Sequence, residues 1–139
     1  YRPAGTPAIG EKSPVLVIIH GGGFVGGSRA EPNLVTIARA FAGRGCVVAS
    51  LDYRLAGDQP QPSARVANIL QAATTGITGP DRTQRVAAVA AIDDALTAID
   101  WLRANADRYN IEPTQIGLLG GSAGAITSVH LAYILDDYG

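Results

Sequence analysis

Apolar positions along this chain fall into two alternating patterns. Val15-Leu16-Val17-Ile18-Ile19 is an unbroken apolar run of strand length, as expected for a parallel strand covered on both faces. From Glu31 to Ala42 the pattern changes to helical spacing, with Leu34, Ile37, Ala38 and Phe41 on one face and Gly43 as the stop. Cys46 to Leu51 is a second buried run, ending in Asp52-Tyr53-Arg54-Leu55. Between Gln84 and Asn105, Ala88, Ile92, Ala95, Ile99 and Leu102 recur at steps of three and four and predict a long helix. Asn110 to Pro113 reads as a turn, Ile116 to Leu119 as a third strand, and Ala123 to Asp136 as the helix after it. Strands alternating with helices predict β-α-β units, and so a parallel sheet with right-handed crossovers. Two stretches lie outside the pattern. Residues 1–13 read as an extended lead-in, and residues 57–83 as an inserted loop rich in Pro, Thr and Gly, with a short helix near Val66 to Leu70.

The chemistry is concentrated where two strands end. The third strand runs into Gly120-Gly121-Ser122-Ala123-Gly124 and then into a helix. Gly-x-Ser-x-Gly between a strand and a helix is the arrangement of a nucleophile elbow, in which one serine stands at the apex of a strained turn. The glycines two before and two after Ser122 leave room where side chains would clash. The helix N-terminus beneath the serine favours negative charge. The first strand runs into His20-Gly21-Gly22-Gly23-Phe24, a glycine-rich loop whose backbone can come close to a reacting carbonyl. Both motifs, each after a strand and in this order, point to acyl transfer.

His-Gly-Gly-Gly-Phe at His20 to Phe24, Asp-Tyr-Arg-Leu-Ala at Asp52 to Ala56, Asp94 followed by Trp101, and Gly-Gly-Ser-Ala-Gly at Gly120 to Gly124 together resemble the α/β-hydrolase carboxylesterases of the hormone-sensitive-lipase type. The resemblance covers about residues 14 to 135. It implies an α/β-hydrolase-type parallel sheet with flanking helices, and a serine-dependent hydrolase of small to medium acyl esters working through an acyl-enzyme. It implies Ser122 as nucleophile, with the N–H groups of Gly22, Gly23 and Ala123 as the oxyanion hole. His20 then braces the oxyanion loop and does not act as base. His130 lies about two turns down the helix from Ser122, roughly 12 Å along its axis and out of reach. In this fold the acid and the histidine follow the serine, and Asp136 and Asp137 follow it too closely. The chain therefore reads as residues 1–139 of a single catalytic domain, truncated after the nucleophile helix. It would be inactive alone and would need the C-terminal half that supplies the acid and the histidine. The absence of any Met and the start at Tyr1 fit a piece of a longer product. The third strand's outer edge would then lie open and apolar.

The chain departs from the family in two places. Gly57 stands where a proline usually follows Arg-Leu-Ala, and the stretch before the long helix is roughly 20 residues longer. Pro60 to Pro80 is expected to border the acyl pocket, since loops at the C-terminal ends of parallel strands build active sites.

Composition narrows the alternatives. Of 139 residues, 47% are hydrophobic and 17% charged, with a net charge of −1, which excludes a disordered chain and gives no basic surface for nucleic acid. Apolar runs are too short to span a bilayer. The single Cys46 forms no internal disulfide and leaves the compartment open. No metal-ligand spacing and no phosphate loop occurs, so no cofactor is expected. Asp52 and Arg54 are expected to make an ion pair or a cap after the second strand, one of Asp93 and Asp94 to face inward with Asp94 as scaffold, Trp101 to pack in the core, His130 to be partly buried, and Cys46 to be buried in its strand. A peptidase or amidase on the same fold, or a non-catalytic ligand-binding relative, remains open from the sequence.

Overall fold

A computed structural model describes residues 1–5 and 10–137 of the chain; residues 6–9 of the lead-in lie outside these. Three strands, β1 (Ser13–Ile19), β2 (Val47–Leu51) and β3 (Ile111–Gly120), form one sheet in the order β2-β1-β3, with both pairings parallel. The central strand is the unbroken apolar run, and it is covered on both sides. Val15, Val17 and Ile19 face one cluster with Ile92, Ile99, Ala123 and Leu131. Ile18 faces a second cluster with Leu34, Ala38, Ala42 and Val48. Period-two alternation along β1 thus feeds two helical layers.

Helix α1 (Pro32–Ala42) covers the second face. Pro32 starts it, where a missing N–H costs nothing, and Leu34, Ala38 and Ala42 at steps of four meet the sheet. Ala42 is its last residue; Gly43 keeps right-handed backbone and Gly45, at φ 96°, makes the reversal. Phe41 is 36% exposed and stands outside the core. On the other face lie α3 (Gly79–Ala104) and α5 (Ala123–Asp137). The buried side of α3 mixes small residues, Ala87, Ala90, Ala91 and Ala95, with larger ones such as Ile92, Ile99 and Leu102.

The stretch 57–83 is not a loop. Two 3-10 turns, Ala56–Asp58 and Ala64–Val66, lead into α2 (Ala67–Thr74), and α3 begins at Gly79, five residues before Gln84. Prolines mark its breaks without preventing helix: Pro80 occupies the first turn of α3, where it is tolerated. The Arg82 guanidinium donates to the Thr74 carbonyl (3.3 Å) and that of Arg85 to the Ala73 carbonyl (3.2 Å), so α2 and α3 are joined end to end.

The turn predicted over Asn110 to Pro113 is confined to Asn110, left-handed at φ 54°, after the short helix α4 (Ala106–Tyr109). Ile111 already pairs with Ser13. The next partners are Val15 and Ile116, so three extra residues bulge out of β3 around Pro113, which has no N–H for the ladder. β3 lies at one edge of the described sheet. At the other edge, Tyr1 exchanges backbone hydrogen bonds with Val48 (2.7 and 2.8 Å).

Charged residues that looked local in sequence make longer connections. Asp52 accepts from the Arg29 N–H (2.7 Å) and pairs with its guanidinium (3.3 Å), not with Arg54. Arg54 reaches α3 instead, pairing with Asp94 at 2.7 Å and Asp93 at 3.3 Å. Both aspartates face inward, because adjacent helical positions can flank one guanidinium that sits over the helix. Trp101 is 50% exposed and leans on Tyr109, with ring centroids 5.3 Å apart, outside the sheet core. His130 is exposed. Cys46 is only partly buried, just before β2.

Candidate active site

The ends of β1 and β3 bring the two glycine motifs together. Ser122 is solvent-exposed between β3 and α5 with φ at 54°, a left-handed backbone that few residues other than glycine adopt. A turn this tight needs glycine where the strand and helix cross. A Cβ on Gly124 would fall onto the Ile19 carbonyl at the end of β1, and one on Gly120 onto the backbone of Gly124. The loop after β1 lies against the serine: a Cβ on Gly21 would stand 3.4 Å from the Ser122 Cβ and 3.0 Å from the Gly121 oxygen.

The orientation of the candidate oxyanion donors follows from peptide planarity, since each N–H points opposite to the carbonyl of its own peptide. The Gly22 N–H belongs to the peptide whose carbonyl is that of Gly21. That carbonyl accepts from His20 Nδ1 (2.6 Å) and from the Tyr53 hydroxyl (3.3 Å). The Gly23 N–H belongs to the peptide whose carbonyl is that of Gly22, which accepts from the N–H groups of Val25 and Gly26 (both 3.1 Å). The Ala123 N–H belongs to the peptide of the Ser122 carbonyl, which takes the Ile126 N–H (3.1 Å) in the first turn of α5. Three carbonyls are tied back and three N–H groups are left facing outward. Among the described residues, no acceptor takes the N–H of Gly22 or Gly23.

His20 is 1% exposed. A carbonyl can only accept, so Nδ1 carries the proton it gives to Gly21, and Nε2 faces the Asp52 carboxylate at 4.0 Å. Its ring stacks on Tyr53 at 4.2 Å. Nδ1 is turned onto the Gly21 carbonyl and Nε2 toward Asp52, and among the described residues neither ring nitrogen bonds Ser122. Tyr53 also donates to the His20 carbonyl (2.8 Å). Burial, aided by the charge of Glu31, pushes its phenol up to about 12, so it remains a donor throughout the working pH range. The sequence motif marked Tyr53, but its part in holding the loop becomes visible only when β2 is placed beside β1. His130 Nδ1 lies 2.8 Å from the Ile126 carbonyl of its own helix.

A second layer fixes this arrangement to α3. Asp94 accepts from the Arg54 N–H (2.8 Å) and side chain, and Asp93 accepts from the Ser63 N–H (2.8 Å) and hydroxyl (2.7 Å). Burial alone would raise the Asp93 carboxyl. The two Ser63 donors and the charges of Arg65 and Arg54 outweigh it and hold Asp93 below the usual carboxylate range. Among the described residues, no group of three or more His, Cys, Asp or Glu side chains could hold a metal ion, and no helix is long and apolar enough to cross a membrane.

Beside the glycine-rich loop after β1 lies an open concavity of about 750 Å³, walled by Val25, Ala56 and the first turns of α3 from Gly79 to Gln84. Only the end of the Pro60-to-Pro80 stretch reaches it. Pro60 is buried, and α2 packs along α3.

A three-stranded parallel sheet between helices, with a left-handed serine at a strand-to-helix turn, is part of an α/β-hydrolase fold. Family comparison agrees: the BD-FAE family matches residues 4–73 and 82–137, and the chain belongs to it. Carboxylesterase NlhH of Mycobacterium tuberculosis is 31% identical over 135 residues, which are 96% of this chain and 33% of that protein. The apo form of Thermogutta terrifontis esterase 2 is similar in structure, with TM-score 0.64 and 26% identity over 91% of this chain and 37% of the other. That esterase is also known phosphorylated by paraoxon (TM-score 0.64, 26% identity, 91% and 38% covered) and bound to butyrate (0.63, 26%, 91% and 36%). The chain thus spans about a fifth to a third of the length of the curated relatives it matches.

Proposed function

We propose that this chain is the N-terminal part of the catalytic domain of a serine carboxylesterase, with Ser122 as nucleophile. One observation carries the reading. Ser122 is held in left-handed backbone against a loop whose N–H groups are left free by the tying of their own carbonyls. Such fixed donors suit charge that develops only in the transition state. The Ser122 Oγ attacks an ester carbonyl as its proton passes to a histidine, and the carbonyl oxygen becomes the anion held by the N–H groups of Gly22, Gly23 and Ala123. Collapse expels the alcohol, which takes the proton back from the histidine. Water, activated by the same histidine, then hydrolyses the acyl-Ser122 ester to the carboxylic acid. Neither His20 nor His130 suits that role, so the histidine and its acid belong to sequence beyond these 139 residues, and the chain alone would be inert. The mechanism needs no cofactor. Short to medium acyl esters fit best, supported by the butyrate and paraoxon forms of the similar esterase.

The test is hydrolysis of p-nitrophenyl butyrate by the full-length protein and its Ser122→Ala variant. Ser122→Ala is expected to remove nearly all turnover, a loss on the order of a million-fold for a triad serine. Undiminished turnover in Ser122→Ala would overturn the assignment.

A further inference from the structure

Three of the peptides around the proposed hole are fixed by partners inside the loop, just after β2 or in α5. A fourth, between Gly23 and Phe24, is fixed from elsewhere. Its carbonyl accepts from Gln84 Nε2 at 2.8 Å, across 61 residues of sequence. The residues on both sides of that peptide are left-handed, Gly23 at φ 61° and Phe24 at φ 64°. The Phe24 carbonyl is tied in turn to the Ala56 N–H (2.8 Å). Gly23 has no side chain to limit rotation. Without Gln84, its carbonyl is free to swing and carry its negative end toward the hole.

The position of Gln84 depends on the connection between α2 and α3. It sits on the second turn of α3, which starts early at Gly79 and is clamped to the end of α2 through Arg82 and Arg85. The family match skips residues 74–81, the connection that sets where α3 begins. Gln84 is exposed, and this one hydrogen bond ties its side chain to the loop.

Building on the serine-esterase reading above, we propose that Gln84 is a positioning residue of the oxyanion loop, holding the Gly23–Phe24 peptide so that the Gly23 carbonyl stays turned away from the developing oxyanion. Gln84 touches no reacting atom. It acts through Gly23, and its effect falls on the transition state more than on substrate binding. Misplacing a group by about 1 Å can cost up to 100-fold in rate, and losing one hole donor outright costs about 100- to 1000-fold.

The test compares the full-length protein with Gln84→Met and Gln84→Glu, using p-nitrophenyl butyrate turnover and inhibition by a trifluoromethyl ketone, which binds as an oxyanionic adduct. For Gln84→Met, kcat is expected to fall about 10- to 100-fold with KM within about twofold. The inhibition constant should rise in parallel with the loss of kcat/KM, which a merely structural role would not produce. Gln84→Glu keeps the shape, but its carboxylate repels the carbonyl, while its protonated form can donate. Its rate relative to wild type should therefore climb as pH falls toward the ordinary glutamate value of about 4.3. An active wild type with Gln84→Met unchanged in kcat and inhibitor affinity overturns the proposal and leaves the esterase reading standing. A full-length wild type that neither turns over the ester nor binds the ketone overturns both.

Discussion

Asp93 offers the sharpest test of how the strands are fastened to α3. Its carboxylate is buried and takes the Ser63 N–H on one oxygen and the Ser63 hydroxyl on the other, with Arg54 at 3.3 Å and Arg65 at 3.7 Å beyond them. Asp93→Asn keeps the shape but turns one oxygen into an NH2. The NH2 can face the Ser63 hydroxyl, which rotates to accept, while the remaining oxygen keeps the Ser63 N–H. The charge is lost from both bonds. Hydrogen bonds to a charged group contribute about 1.5–3 kcal/mol against about 1 for neutral pairs, so two weakened bonds cost about 2 kcal/mol. Arg54 and Arg65 are partly solvated and Arg54 keeps Asp94, so they add little. Asp93→Ala strips both Ser63 donors and should cost about 3–4 kcal/mol.

The pH dependence has a definite sign. The folded carboxyl titrates below its ordinary value, so the fold prefers the charged form. Its contribution is whole above the unfolded value of about 3.9 and is lost as pH falls through the folded one. Urea unfolding of wild type and Asp93→Asn should therefore differ by about 2 kcal/mol at neutral pH, with the gap closing once Asp93 is protonated in the folded state. A gap below about 0.5 kcal/mol at neutral pH, or one that persists undiminished in acid, would refute the reasoning.

Gly124→Ala drives a Cβ into the Ile19 carbonyl, so it should lower the melting temperature sharply, whereas Gly26→Ala, with open space around it, should melt like wild type; equal melting curves would contradict the elbow geometry. Tyr53→Phe removes the hydroxyl bonds to the His20 and Gly21 carbonyls and should cost about 1–2 kcal/mol along with part of kcat. Ultraviolet titration of the wild type should show a tyrosine ionising near 12 that Tyr53→Phe deletes. Because that phenol is raised, its share of stability is lost as pH climbs from about 10, where an unfolded tyrosine ionises, through the folded value. Trp101→Ala, half exposed against Tyr109, should cost less than the about 3–5 kcal/mol of a core tryptophan, by thermal or urea unfolding.

How much of this was legible in the residues depended on range. β1, α1, β2, β3 and α5 each declare themselves through continuous or periodic apolar positions, because burial on two faces or one leaves a local trace. Ser122 and the triple glycine were legible for the same reason: a backbone that must turn sharply or approach closely selects glycine at fixed offsets. Pairing across the fold leaves no such trace. Asp52 stands two residues from Arg54, yet each binds a partner more than 20 residues away. Trp101 reads as core by residue type, but Ile99 and Leu102 occupy the buried side of that turn of α3 and the indole stands half exposed. The stretch 57–83 looked like a loop because its prolines and glycines suggest breaks, while its helices are held by tertiary contacts from Arg82, Arg85 and Ser63. Gln84 carries no signal at all in the sequence; only the placement of α3 against the glycine-rich loop shows its bond to the Gly23 carbonyl.

Covalent labelling addresses the central claim most directly. The full-length protein would be treated with paraoxon and digested, and the modified peptide mapped by mass spectrometry, alongside Ser122→Ala. The account predicts a single diethyl phosphoryl group on Ser122, lost in Ser122→Ala. An unlabelled Ser122 in the folded protein, or a label on another residue that survives Ser122→Ala, would contradict it.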